Sequence, residues 1–159
     1  MRDRAAAVSE PSASRNMESS VSAAGSPVAA GDYATARVAG GFVFTAGMTP
    51  RTDDGVLEPG VVGVDMSVER ARELAGYAAR RAVAAARDAA GDSLDGVVGL
   101  TVYLRTAPEF TAHSAVADGA TEALRSEVGG AAPARAAVGV ASLPSGAAVE
   151  VSAVFTTRH

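Results

Sequence analysis

The chain has 159 residues, the length of about one domain, and its 48% hydrophobic content includes only 4% aromatic side chains, so alanine and valine supply most of the apolar surface. A net charge of −4 without a basic run argues against a nucleic-acid surface, and the absence of cysteine and lysine removes disulfides, thiolate chemistry and a side-chain Schiff base. With two histidines, His113 and His159, the chain is short of ligands for a histidine metal centre, and no apolar stretch approaches the roughly 20 residues that span a bilayer.

Residues 1 to about 28 are rich in Ala, Ser, Gly and Pro and show no period of 2 or 3.6. They read as a disordered leader ahead of one domain over residues 29–159, with Met17 a candidate start of the native chain. Met1-Arg2-Asp3-Arg4 leads into no sustained apolar core and makes a poor secretory signal, so the expected location is the cytoplasm.

Regular structure is expected from near Tyr33. Ala36-Arg37-Val38 and Phe42-Val43-Phe44-Thr45 flank Gly40-Gly41 and predict a hairpin, the glycine pair supplying the positive φ of a tight turn. Thr49 to Gly63, with two prolines, two aspartates and three glycines, predicts a loop. Ser67 then reads as an N-cap with Glu69 in the first turn, and Ala71, Ala75, Ala78, Ala82, Ala85 and Ala89 recur every three or four residues. That spacing predicts a long amphipathic helix stopped at Gly91. Val97 to Leu104 predicts a buried strand, and Ser114 to Val128 a second helix ended by Gly129-Gly130. Arg135–Val140 and Ala148–Phe155 predict two more strands across Leu143-Pro144-Ser145-Gly146, the last burying Val149, Val151, Ala153 and Phe155 on one face. The order ββ-α-β-α-ββ predicts an α+β fold, a mixed sheet with both helices on one face. Alanine side chains bury little area each, which favours an oligomer for a domain of this size.

Two charges sit inside apolar strands. Arg135 requires a partner: a solvent-facing edge position, a pair across the sheet, or an anionic or carbonyl ligand. Glu150 suits general acid/base work if half-buried, or simply faces solvent opposite the valines. The short connection between their strands also leaves an Arg135–Glu150 ion pair open. Tyr33 is a clamp or a strand-start aromatic, and His113 a residue at the helix start or surface. No phosphate loop and no Gly-x-Ser-x-Gly elbow occurs.

Taken together, Gly31-Asp32-Tyr33, Phe42-Val43-Phe44-Thr45-Ala46-Gly47-Met48, Ala90-Gly91-Asp92-Ser93-Leu94-Asp95-Gly96-Val97-Val98, Pro133-Ala134-Arg135-Ala136-Ala137-Val138, Leu143-Pro144 and Val149-Glu150-Val151 resemble, in order, the motifs of the reactive-intermediate deaminase (RidA/YjgF) family. The resemblance covers roughly residues 31 to 156. It implies a chorismate-mutase-like homotrimer with ligand clefts between subunits, and hydrolysis of enamine or imine intermediates to 2-oxo acids and ammonia without metal or cofactor. By the same analogy Arg135 and Glu150 are the catalytic pair: Arg135 holds a substrate carboxylate and Glu150 activates water. Tyr33, Ala46, Gly47, Ala137 and Asp118, the last near the position of a helical asparagine in some members, would line the pocket. The family's Ser and Gln beside Gly47 are Ala46 and Met48 here, and a position often held by Cys is Ala137. These departures point to a divergent branch, with two alternatives: a biosynthetic enzyme condensing or cyclising a carbonyl/amine intermediate, and a non-catalytic ligand-binding trimer. Ribonuclease activity, described for some members, is least favoured by the acidic balance and the missing lysine.

Overall fold

A computed structural model describes residues 26–159, so most of the expected leader lies outside the described residues. The first two strands, β1 (Ala36–Ala39) and β2 (Phe42–Thr45), form the expected hairpin, with Gly40 and Gly41 at φ 58° and 81°. The predicted loop contains a two-residue ladder, β3 (Arg51–Thr52) with β4 (Gly55–Val56).

The long helix, α1 (Val68–Ala90), starts where Ser67 accepts a hydrogen bond from the Arg70 amide at 3.1 Å. It stops at Gly91, whose φ of 56° turns the chain while its amide bonds the Arg87 carbonyl. Five of the six predicted alanines are buried; Ala89 is exposed with Arg87 and Asp88 in the last turn. The buried stripe is wider than the alanine series, taking in Leu74, Ala79, Val83 and Ala86. β5 (Leu94–Arg105) follows, then α2 (His113–Val128), β6 (Ala134–Val140) and β7 (Val149–Thr157).

The five-stranded sheet has the order β1-β2-β7-β5-β6. β5 and β6 are parallel, joined by the α2 crossover, and every other pair is antiparallel. The last two strands are therefore not neighbours, because β5 lies between them. A parallel pair requires its crossover helix to pack over the sheet, and this places β6 at the edge and leaves the other side of β5 for β7. An Arg135–Glu150 ion pair within one chain is excluded by this order.

Both helices cover one face. Val43, Leu100, Val102, Leu104, Val149, Val151, Ala153 and Phe155 point into it, as the alternation of β7 predicts. The opposite face carries Phe42, Phe44, Val98, Thr101, Tyr103, Val138, Glu150, Ser152 and Val154, and Phe44 is 47% exposed. No helix among the described residues is long and apolar enough to cross a membrane.

The helices touch backbone to backbone. A Cβ built on Gly119 would lie 2.2 Å from the Arg72 carbonyl oxygen, and one on Gly76 3.2 Å from the Gly119 carbonyl. Gly119→Ala is expected to push the helices apart and destabilise the fold by about 2–3 kcal/mol, whereas Gly76→Ala is expected to cost less. Urea denaturation of the two variants beside the wild type measures both.

Candidate functional site

Glu150 projects from β7 onto the uncovered face, directly across from Tyr103 of β5. On the other side of β7 the chain leaving β2 is pinned by reciprocal backbone bonds between Met48 and Val151, at 2.8 and 2.9 Å. This lays Gly47 against the carboxyl: a Cβ there would sit 2.1 Å from Glu150 Oε1 and 2.7 Å from Cδ. Glycine is the residue that leaves this space. Among the described residues no group donates a hydrogen bond to the Glu150 carboxyl, and half-burial pushes its pKa above the ordinary glutamate value.

Arg135 occupies the edge strand β6 and points to the opposite face, toward α2, since it is level with the core residue Leu100. Its Nη1 donates to Asp118 Oδ1 at 2.7 Å and to Thr121 Oγ1 at 3.0 Å. Asp118 Oδ2 is also 3.9 Å from Arg72 Nη1, and Arg72 in turn bonds Glu122 and, at 3.1 Å, the Ala115 carbonyl. Among the described residues only Nη1 of Arg135 has a partner, so the Nη2–Nε edge stays presented. Ala137 follows two residues on, on the same face and partly buried.

The candidate residues thus fall into two groups. Gly47 and Glu150 form one; Arg135, Asp118 and Ala137 form the other. The two key residues lie three residues apart in register and two strands apart across the sheet, which separates their Cα atoms by about 14 Å, with side chains on opposite faces. Tyr33 is 52% exposed near the start of β1, and its hydroxyl accepts a hydrogen bond from the Ala30 amide at 3.2 Å. Ala46 and Met48 turn toward α1 and pack with Ala36, Ala82 and Ala85.

Three polar residues assigned no functional role from the sequence, His113 among them, lie near these groups. Arg81 on α1 donates to the Thr49 carbonyl at 2.6 Å, and burial, with Arg51 nearby, lowers its pKa. Thr106 and His113 lean over Gly139 on the face of β6 that carries Arg135. The lone glycine inside an apolar strand was the signal for such a close approach.

The fold and these two groups define the class: a two-helix, mixed-sheet α+β protein with an arginine on an edge strand and, on the bare sheet face, a glutamate without a partner among the described residues. The sequence profile of the family described as Endoribonuclease L-PSP matches residues 23–156. Protein TCP17 of Trypanosoma cruzi is 36% identical over 134 residues, covering 80% of this chain and 82% of that protein. Among solved structures, Atu1372 of Agrobacterium tumefaciens is 27% identical with a TM-score of 0.76, covering 91% of this chain and 96% of that one. RidA of the Antarctic bacterium Psychrobacter sp. PAMC 21119 is 28% identical with a TM-score of 0.59, covering 82% and 93%. The chain belongs to the L-PSP family, the group that includes RidA and YjgF, as a divergent member.

The raised pKa of Glu150 has a signed consequence. The folded chain holds this proton more tightly than the unfolded chain, so the stability present at acid pH declines as pH rises from the ordinary carboxylate range through the folded value. Glu150→Gln cannot ionise. Its stability relative to wild type is expected to rise across that window, and urea denaturation of both proteins at a series of pH values reads the difference.

Proposed function

We propose that this protein hydrolyses small imines and enamines to carbonyl compounds and ammonia, acting as a trimer in which Arg135 of one subunit faces Glu150 of the next. The observation that carries this reading is the Glu150 carboxyl: half-buried, unpartnered among the described residues, and lying in the space that a side chain at Gly47 would take. A carboxyl with a raised pKa suits a proton shuttle. It gives a proton to the imine nitrogen, and as a carboxylate it then takes one from the attacking water. Oxygen adds to the carbon, and the carboxyl, reprotonated by the water, gives its proton to the carbinolamine nitrogen. The C–N bond then breaks with its electron pair on nitrogen, the hydroxyl closes to the carbonyl and returns its proton to the carboxylate, and ammonia leaves. Imines already hydrolyse in water, so orientation and one proton carrier suffice.

Arg135 supplies the anchor. Its open Nη2–Nε edge offers two parallel donors for a carboxylate or carbonyl, while Asp118 and Thr121 hold the guanidinium from the other side. A second copy is needed because one chain holds the two groups on opposite faces of its sheet. The uncovered face, with Phe42, Phe44, Val98 and Val138 exposed, is the surface an assembly would bury. The location, the absence of a cofactor and the single domain over residues 29–159 are part of the same reading.

The test is an imine-hydrolysis assay in which an amino-acid oxidase generates the imine and semicarbazide traps what is not hydrolysed. Wild type is expected to accelerate 2-oxo acid release, and Glu150→Gln to lose at least about 100-fold of that acceleration. Arg135→Ala is expected to abolish activity with its melting temperature little changed, since the Arg135–Asp118 pair is partly exposed. Binding of 2-oxo acids with no turnover of any imine would replace the enzyme by a ligand-binding trimer.

A further inference from the structure

The face of β6 that carries Arg135 holds polar groups beyond Arg135 itself. Arg135, Ala137 and Gly139 share one face of β6, and α2 runs antiparallel above them. At the Arg135 end stand Asp118 and Thr121. Beyond Ala137 stand Thr106 and His113, close enough to the strand that a Cβ on Gly139 would lie 2.6 Å from Thr106 Oγ1 and 2.9 Å from His113 Nε2. The missing side chain at Gly139 is what lets a hydroxyl and an imidazole descend to the strand together.

His113 is held in place by Phe110, whose ring meets it edge-on with centroids 5.1 Å apart. Phe110 is itself seated on Gly63, where a Cβ would be 2.6 Å from its ring. Among the described residues neither the His113 ring nor the Thr106 hydroxyl has a hydrogen-bond partner. Both groups can donate and accept, so the pair suits an oxygen that does either. On β6, Ala137 is the residue of this face between Arg135 and Gly139, and it is partly buried against the core. Asp118 and His113 are five positions apart on α2, about 8 Å along the helix axis.

We infer that the Arg135 site continues along β6 into a second, polar subsite formed by Thr106 and His113, which takes the distal oxygen of an elongated substrate. A six-carbon chain anchored by its carboxylate on Arg135 has the length to place a terminal hydroxyl or carbonyl oxygen there. This inference rests on the imine-hydrolase reading for its chemistry, but the subsite can be read by binding alone.

The experiment uses the full chain and three amino acids converted in situ to imines: 2-aminobutyrate, norleucine and 6-hydroxynorleucine. Wild type is expected to favour the hydroxylated substrate over norleucine by about tenfold in kcat/KM, the worth of one hydrogen bond. His113→Ala and the near-isosteric Thr106→Val are each expected to bring that ratio toward one. In parallel, calorimetry compares 2-oxohexanoate with 6-hydroxy-2-oxohexanoate, and the same preference and the same loss are expected. A wild-type ratio of one, a ratio that survives both substitutions, or a uniform loss on all substrates with the ratio kept would overturn the subsite. If no imine is accelerated, the hydrolase reading fails. The calorimetric preference then decides the subsite independently, and equal binding or no binding of the two acids overturns it.

Discussion

The fold depends on how closely its backbones approach. Alanine supplies most of the buried helix positions, and an alanine methyl cannot fill a wide gap, so the core is dense only if α1 lies low on the sheet and α2 lies hard against α1. Gly76 and Gly119 make the second contact possible, the Arg72 carbonyl occupying the place a Gly119 side chain would need. Larger residues, Leu74, Val83, Leu100, Leu104, Leu124 and Phe155, fill what remains. The position of α2 is thereby set, and with it the positions of Asp118, Thr121 and His113 over β6.

The same economy builds both halves of the candidate site. Gly47 leaves room for the Glu150 carboxyl, and Gly139 leaves room for Thr106 and His113. In each place a polar side chain occupies space that a Cβ would deny it. The departures Ala46 and Met48 both pack against α1 with Ala82 and Ala85, Met48 buried and Ala46 partly so. Arg135 is embedded differently, in alternating charges that run through Asp118 to Arg72 and Glu122. This arrangement holds the guanidinium at one nitrogen and leaves its other edge presented.

Local elements were legible to within a few residues. Ser67 capped the long helix, Gly40-Gly41 turned the hairpin, and the alternation of β7 placed Val149, Val151, Ala153 and Phe155 inward. The resemblance carried by the motifs from Gly31 to Glu150 agreed with the family found by comparison. Strand order was not legible. The short connection after β6 suggested that β6 and β7 were neighbours, yet β5 separates them. His113 was passed over as an ordinary residue of the helix start, because its role depends on Gly139, twenty-six residues further along the chain.

By itself, the sequence determined the properties that spacing and composition set. These are the main elements, the inward faces of the long helix and of the last strand, the chemistry ruled out by missing lysine and cysteine side chains, and the membership read from ordered motifs. Such properties are local, fixed by periods of 2 and 3.6 and by which atoms the side chains carry. Only the tertiary structure decided that Arg135 and Glu150 lie on opposite faces, that Asp118 and Thr121 hold the arginine, and that Thr106 and His113 meet above Gly139. The reason is that these facts depend on register and crossover between segments far apart in the chain, where pairing is chosen by the packing of the whole sheet and leaves no period in the sequence.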